Sequence, residues 1–338
     1  MSKLRGRRTD TLLKAAAAFD EAYDKIQEPE TTSWAIGTMQ PLDKTYTRIT
    51  FEEGDRIKNQ LDKSLNSSSK SADFRYQGSV TNDTHIKVHS DLDLLVIDTD
   101  FETIEPPGAP SYPYAGDPVE DLKKLRAACV TVIKKEFPAV KVDDTPGKCI
   151  ALSGGSLRRE IDVVISNWWN TTLYQQHNIE VFRGVKVLDK VANKRHENKP
   201  FYHNALIQIK DDETAGNLRK VARLLKSHKY DSDTPLTISS YDVVSIAWNM
   251  PKEYLLVPQD QELQLVENAR NYLKWLLDND TERNSIKVPN GMRAIFGPDG
   301  TTKSQLSALH SEVDDTAMQI RAELMKSYRT IRDAKIRH

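Results

Sequence analysis

The chain of 338 residues carries 48 Lys and Arg against 49 Asp and Glu, and its net charge of -1 excludes a general basic affinity for nucleic acid. With 38% hydrophobic and 29% charged residues, the composition excludes a disordered chain or a coiled coil. No run approaches the roughly 18 apolar residues of a membrane helix. The two cysteines, Cys129 and Cys149, form neither a disulfide framework nor a C-x-x-C metal pair. We therefore expect a cytoplasmic protein with reduced thiols.

The first part of the chain alternates predicted helices with predicted strands. The N-terminal segment Met1–Arg8 is rich in basic residues, and it leads into a predicted helix and not into the apolar core of a secretory signal. Helical spacing of apolar residues is found over Asp10–Ile26, Phe51–Leu65 and Val119–Phe137. Short apolar runs predict strands at Val140–Val142, Cys149–Leu152 and Leu157–Ile165, and a hairpin over Val181–Val191 followed by a polar connector from His196 to Pro200.

A proline-rich segment from Asp100 to Pro118 interrupts this pattern. Its five prolines and two glycines exclude the interior of a helix or strand and predict a surface loop. A loop of this length can act as a functional lid, although a plain insertion is the simpler interpretation.

The second part of the chain is predicted to be helical. The helical segments are Phe201–Ile209, Thr214–Lys229, Ser239–Trp248, Gln259–Leu277 and Thr302–Tyr328. Strands first and helices later predict an α+β fold, with a mixed sheet in residues 1–199 and a helical lobe in residues 200–338.

Two carboxylates stand at the mouth of an apolar strand. Asp91 and Asp93 flank Leu92 and precede Leu94–Ile97, a run that is typical of a buried strand. Side chains two apart on a strand point the same way, so the two carboxylates repel each other unless a cation lies between them. A hard divalent cation such as Mg²⁺, bound through oxygen, would relieve this repulsion.

Gly78 and Ser79 lie upstream of this pair. Glycine allows the backbone to approach a ligand closely, and a helix that began after it would direct its N–H groups at phosphate. The pattern predicts a phosphate-binding turn beside the carboxylates.

A third carboxylate is predicted on a separate strand. Asp162 lies within the apolar run Ile161–Ile165. Glu160, two residues earlier and on the same face by alternation, competes for the same role. We prefer Asp162 because it lies deeper in the apolar run, and the choice between them stays open at this point.

Polar residues of the helical part form a second constellation. Arg219, Arg223 and Lys226 recur at helical spacing and suit a triphosphate, although a solvated basic face is the alternative. Ser239 is the predicted N-cap of the next helix. Ser240 could then contact phosphate, and the ring of Tyr241 could stack on a base.

Together these segments resemble the polymerase-β-like nucleotidyltransferase superfamily, whose signature is Gly-Ser, then h-D-h-D-h and a later third carboxylate. Gly78-Ser79, Asp91-Leu92-Asp93 and Asp162 match it. The segment Arg223–Tyr230 is similar to the R-L-x-K-x-W segment of oligoadenylate synthetase, and Ile238–Val243 to the S-S-Y segment of cyclic GMP–AMP synthase. The chain thus resembles the bacterial cGAS/DncV-like nucleotidyltransferases of anti-phage cyclic-oligonucleotide signalling.

The resemblance implies the parts of an active site in a cleft between a catalytic lobe and a helical lobe. Asp91, Asp93 and Asp162 would hold two Mg²⁺ ions, or Mn²⁺, and catalyse transfer. Gly78, Ser79, Arg223, Lys226, Ser240 and Tyr241 would bind the nucleotide. NTPs would be the substrates, and an effector that binds the cyclic product would act downstream.

Two departures and two alternatives accompany this hypothesis. No His/Cys cluster corresponds to the zinc thumb of the animal DNA sensor, and His228 stands near the position of the consensus tryptophan. A nucleotidyltransferase that modifies tRNA or a protein, as in toxin–antitoxin pairs, and a catalytically silent nucleotide-binding module are the alternatives. The sequence does not determine the bases, the ring size, the linkage, the activating signal or the oligomeric state.

Overall fold

The computed structural model describes residues 28–86, 91–110, 113–298 and 300–336. It divides into two units. The sheet unit comprises Asp43–Asp83 and Ser90–Leu206. Among the described residues, the helical unit comprises residues 28–42, the short segment 84–86 and the residues from Ile207 onwards. The predicted ranges 1–199 and 200–338 therefore differ from these units at three places, and the helix predicted over Asp10–Ile26 lies outside the described residues.

The α+β class is confirmed, because strands dominate one unit and helices the other. In chain order the described helices and strands are α1 (Glu30–Met39), α2 (Lys44–Ser67), β1 (Ala72–Gln77), β2 (Leu92–Ile104), α3 (Pro118–Glu136), β3 (Lys141–Asp143), β4 (Ile150–Ser153), β5 (Ile161–Asn170), α4 (Thr172–His177), β6 (Gly184–Asp189), β7 (Lys194–Asn198), α5 (Pro200–Glu213), α6 (Asn217–Asp231), α7 (Ser240–Asn249), α8 (Lys252–Leu255), α9 (Leu263–Asp278), α10 (Asp280–Ser285) and α11 (Lys303–Ile336).

Side-chain caps fix where several of these helices begin. Asp43 accepts a hydrogen bond from the backbone N–H of Thr45 at 2.7 Å and starts α2. Asp117 accepts one from the N–H of Val119 at 2.8 Å and starts α3, where Pro118 occupies the first helical turn. Each cap satisfies an N–H group that lacks a partner within its helix.

The sheet is mixed, as predicted. β2 is parallel to β5 and antiparallel to β1. β5 is antiparallel to β4 at one end and to β6 at the other, and β3 and β7 complete the sheet. The parallel register sets Leu92 opposite Ile161 and Asp93 opposite Asp162.

The two faces of the sheet have different cores. On one face Leu94 and Val96 pack with apolar residues of α2 and α3. On the other face Leu95 and Ile97 belong to a smaller cluster with Val164 and Trp168. Because strand side chains alternate between faces, Asp93 lies on the same face as Leu95 and Ile97.

The helical unit has a separate core. It is formed by buried apolar residues of α1, α6, α7, α9 and α11, among them Trp34, Leu225 and Leu273. None of the helices described in the structure is both long enough and apolar enough to cross a bilayer.

Several predicted elements need correction. The surface loop predicted from Asp100 begins only after Ile104, because β2 continues to that residue. The strand predicted over Leu157–Ile165 begins at Ile161 and continues to Asn170, because a run of turns occupies the residues before it. The hairpin predicted over Val181–Val191 is formed instead by β6 and β7. Charged residues of β7 face solvent, and so the apolar pattern did not mark it as a strand.

Arg126 fixes the turn between β3 and β4 from the interior of α3. Its side chain is only 2% exposed. It donates to the carboxylate of Asp144 at 2.6 Å and to the carbonyls of Pro146 at 2.8 Å and Cys149 at 2.5 Å. An apolar side chain could not replace these hydrogen bonds, because the carbonyl oxygens of the turn face the core and need a donor.

We expect Arg126→Leu to lower the free energy of unfolding by about 3 kcal/mol, because it leaves buried acceptors without a donor. Urea unfolding followed by circular dichroism measures the loss. The matched control is Arg48→Leu, since Arg48 pairs with Glu52 on the surface and is 61% exposed. The control should change the stability by less than about 0.5 kcal/mol, and equal losses in the two variants would contradict this account.

Candidate active site

Two carboxylates lie opposite each other near the start of β2 and β5. These are Asp93 and Asp162, which are cross-strand neighbours in the parallel register. Both are half-buried, whereas Asp91 precedes β2 by one residue and is exposed. Glu160 precedes β5 by one residue and is also exposed. The residue of β5 that faces Asp93 is therefore Asp162.

The carboxylates influence one another electrostatically. Burial, followed by the negative charges of Asp162 and Asp91, raises the pKa of Asp93 to about 7. Burial also raises the pKa of Asp162, and the charge of Glu160 adds to that effect. Four carboxylates, those of Asp91, Asp93, Glu160 and Asp162, thus contribute to the negative potential at the start of β2 and β5.

Cys149 is a neighbour of this region that the sequence pattern did not identify as one. It precedes β4, the antiparallel neighbour of β5 that pairs Ala151 with Asp162. The thiol donates a hydrogen bond to the carboxylate of Asp162, which lowers the pKa of that carboxyl against the effect of burial. Burial, followed by the charge of Asp162, raises the pKa of the Cys149 thiol to about 12. The thiol therefore stays protonated and orients one carboxylate.

Gly78 lies directly against the carboxylate of Asp93. It follows β1, whose last residue, Gln77, is the antiparallel partner of Asp93. Its φ is +87°, and a Cβ at this position would lie 2.2 Å from Oδ2 of Asp93. Both the backbone conformation and the close approach require glycine here. Gly78 and the carboxylate of Asp93 are thus in direct contact.

The residues after Gly78 form turns and not the helix that the sequence analysis considered. The hydroxyl of Thr81 donates to the Gly78 carbonyl at 2.8 Å, and the N–H of Asn82 reaches the same oxygen at 3.4 Å. Ser79 is half-buried within this turn. The amide of Asn204 donates to the hydroxyl of Thr81 at 3.0 Å and holds the turn in place.

The donor chemistry suits a hard divalent cation, since burial raises the pKa values of Asp93 and Asp162 and a positive charge would stabilise their ionised forms. The carboxylate side chains do not surround one point as the ligands of a formed metal site would. Across the described ranges, no group of three His, Cys, Asp or Glu side chains is arranged to hold a metal ion. The carboxylates suit a divalent cation because their oxygens are hard ligands and because Asp93 lies opposite Asp162.

Arg223 and Lys226 lie in the interior of the helical unit. Arg223 is 4% exposed, and its Nε donates to the carbonyl of Met39 at 2.9 Å. Lys226 is 2% exposed, and its Nζ donates to the carbonyl of Thr84 at 2.8 Å. Neither side chain lies on a solvated basic face, and Lys226 is bonded to Thr84, which directly follows the Gly78 turn.

Ser240 and Tyr241 open α7. Ser239 caps the helix as predicted, since its hydroxyl accepts from the N–H of Asp242 at 3.0 Å. The hydroxyl of Ser240 accepts from Nζ of Lys229 at 3.1 Å. The ring of Tyr241 is 37% exposed, and the guanidinium of Arg293 lies 5.5 Å from its centre. Lys229 and Arg293 are cationic neighbours that helical spacing alone did not identify.

Comparison with known proteins identifies one family of relatives. The family model for the cGAS/DncV-like nucleotidyltransferase C-terminal helical domain matches residues 205–318. A cyclic dinucleotide synthase, CdnE, of Yersinia aleksiciae is 38% identical over 291 residues, which cover 85% of this chain and 76% of that protein. A c-di-GMP synthase of Capnocytophaga granulosa is 29% identical over 298 residues, covering 81% and 83% of the two chains.

A solved structure is similar over nearly the whole chain. The structure of a STING-associated CdnE c-di-GMP synthase from Capnocytophaga granulosa superposes with a TM-score of 0.72 at 27% identity. It covers 92% of this chain and 94% of that one. The fold and site define a nucleotidyltransferase of the polymerase-β-like type. More narrowly, the chain belongs to the cGAS/DncV-like nucleotidyltransferase family, and the resemblance seen in the sequence is confirmed.

We expect Gly78→Ala to reduce nucleotide turnover by at least about 100-fold, because the new methyl group would displace the carboxylate of Asp93. Pyrophosphate release from NTPs measures the loss. Gly154→Ala is the matched control, since Gly154 also has a positive φ, +65°, but nothing lies within 4 Å of the point that its Cβ would occupy. The control variant should lose about 1 kcal/mol of stability from backbone strain and keep its turnover. Equal turnover in the two variants would contradict a specific contact with Asp93.

The raised pKa of Asp93 predicts a pH-dependent stability in the absence of metal. A carboxyl whose folded pKa lies near 7 contributes stability below about pH 4, and this contribution is lost as the pH rises through 7. In EDTA, Asp93→Asn should therefore stabilise the protein more at pH 8 than at pH 5, by about 2.5 kcal/mol.

Urea unfolding of both proteins at the two pH values measures this difference. Asp62→Asn, which changes an exposed carboxylate of α2, is the control for the substitution itself and is unfolded under the same conditions. A stabilisation by Asp93→Asn that is the same at pH 5 and pH 8 would contradict the raised pKa.

Proposed function

We propose that the chain condenses nucleoside triphosphates into a cyclic dinucleotide, or a longer cyclic oligonucleotide, with release of pyrophosphate. The observation that carries this proposal is the pairing of Asp93 with Asp162, beside a glycine whose missing side chain makes room for Asp93. The named activity of the Yersinia aleksiciae relative, cyclic dinucleotide synthesis, supports the same product class.

Each transfer would form a bond between a ribose hydroxyl oxygen and an α-phosphorus, while the bond from that phosphorus to the pyrophosphate oxygen breaks. Asp91, Asp93 and Asp162 would hold two Mg²⁺ ions, for which Mn²⁺ could substitute. Bound divalent ions supply Lewis-acid stabilisation of the attacking and leaving oxygens. The second transfer, within the linear product, would close the ring.

The protein's own residues would hold and orient the nucleotide. Gly78 would let a phosphate and the Asp93 carboxylate approach the same backbone, and the hydroxyl of Ser79 would donate to that phosphate. Ser240 would contact phosphate with Lys229 behind it, and Tyr241 would stack on the donor base. These roles agree with the partial exposure of Ser79 and Tyr241.

Lys226 and Arg223 are proposed phosphate ligands with a specific requirement. Each now donates to a backbone carbonyl, of Thr84 and of Met39 respectively. Either must exchange that carbonyl for a phosphate oxygen or share its donors between the two. A guanidinium has several donors and an ammonium three, so sharing is chemically possible.

A downstream effector that binds the product is the proposed partner, in an anti-phage role. Support comes from the Capnocytophaga granulosa structure, whose protein is described as STING-associated. The c-di-GMP product named for that protein makes GTP the first nucleotide to test.

Incubation of the purified chain with radiolabelled NTPs and Mg²⁺ tests the proposal. We expect a small cyclic product without any macromolecular acceptor, identified by mass spectrometry. Label that appears only on added tRNA or protein would favour a modifying enzyme. The absence of any metal-dependent turnover would favour a silent nucleotide-binding module.

Single substitutions test the roles of the carboxylates. We expect Asp91→Asn, Asp93→Asn and Asp162→Asn each to reduce product formation by at least about 100-fold with the fold intact, because each removes a charge that would hold the metal. Glu160→Gln is the matched control and should retain activity within a few-fold. Loss of activity in the Glu160 variant together with an active Asp162 variant would exchange the two assignments.

A further inference from the structure

A cavity of about 610 Å³ lies in the sheet unit next to the proline-rich loop that follows β2. Its walls include Phe101 and Tyr114 together with Trp168 of β5. Asp73 of β1 also lines it, and the strand partner of Asp73 is Ile97, four residues beyond Asp93. Four residues along a strand span about 13 Å, so the cavity is separate from the catalytic carboxylates.

Three aromatic residues line the cavity, and Tyr114 is the most exposed of them. The rings of Phe101 and Tyr114 are stacked, with centres 4.6 Å apart and planes inclined by 19°. Trp168 is 2% exposed, and its Nε1 donates to Oδ2 of Asp73 at 2.7 Å. That bond fixes the orientation of the Asp73 carboxylate next to the aromatic surface.

The charged groups of the cavity are mainly acidic. Asp73, Asp100 and Glu102 line it, and Arg183 is the cationic residue among its described lining residues. The guanidinium of Arg183 is already engaged, since it donates to Glu102 at 2.8 Å and lies 4.2 Å from the centre of the Trp168 ring.

Two further contacts involve the charged residues of the cavity. Nε of Arg183 donates to the amide oxygen of Asn170 at 2.7 Å, so a second donor of this guanidinium is also engaged. Lys70 lies 3.4 Å from Asp100, but both side chains are substantially exposed and the pair is weak. An anionic ligand would therefore meet carboxylates without a free cation among the lining residues that the structure describes.

We propose that this cavity binds a flat organic cation, such as an amidinium or a protonated aromatic amine. A positive charge would be attracted to Asp73 and Asp100, and a planar body would stack on the ring of Tyr114, which is 41% exposed. The volume lies within the range of cavities that hold small organic ligands. The site does not depend on the proposed nucleotide chemistry, because none of its residues belongs to the catalytic set.

Binding of benzamidine, compared with its neutral analogue benzamide, tests the proposal in the full-length protein. We expect benzamidine to bind at least about 5-fold more tightly in ligand-observed NMR titrations. Asp73→Asn, whose amide oxygen can still accept from Trp168, and Asp100→Asn should each weaken benzamidine binding several-fold. Neither change should alter the affinity for benzamide.

Two controls keep the result specific to this cavity. Asp62→Asn removes an exposed carboxylate of α2 and should leave binding unchanged. Asp93→Asn removes charge from the catalytic region and should also leave it unchanged. Equal affinities for benzamidine and benzamide would overturn the proposal, and so would benzamidine binding that persists in both cavity variants but is lost in Asp93→Asn.

Discussion

The parallel pairing of β2 with β5 is the constraint on which the site depends. It sets Asp93 opposite Asp162 on one face of the sheet, where burial and like charge raise the pKa of Asp93 to about 7. Apolar packing alone does not explain this arrangement, because burial destabilises a charged carboxylate and two adjacent carboxylates repel each other. Burial of the aliphatic residues in both strands stabilises the fold and offsets the repulsion between the two carboxylates. A bound cation would relieve that repulsion.

Much of this arrangement could be predicted from sequence. Consecutive aliphatic residues after Asp91 indicate a buried strand, and alternation puts Asp93 and Asp162 on defined faces of their strands. The structure then places Asp162 opposite Asp93. The contact between Gly78 and Asp93 could not be predicted, because it depends on a φ of +87° and on the antiparallel register of β1 with β2. Neither quantity follows from residue spacing.

The helical unit shows a different limit of sequence reasoning. Helical spacing correctly predicted α6, but it does not distinguish basic side chains on a solvated face of the helix from basic side chains that are buried. Arg223 and Lys226 are buried because carbonyls of Met39 and Thr84 meet their donors, and both carbonyls come from distant parts of the chain. A long-range partner of this kind has no local signature. For the same reason, the sequence did not predict that residues 84–86 belong to the helical unit.

The continuous register from Leu92–Ile161 to Asp98–Asn167 also determines where the polypeptide can change in length. Because side chains alternate, one residue added within that span of β5 would turn every later side chain to the opposite face. Residues 106–117, which connect β2 to α3, lie outside the paired strands and have no such restriction. Natural variants of this chain should therefore gain and lose residues there, while the two strands keep their spacing to the residue.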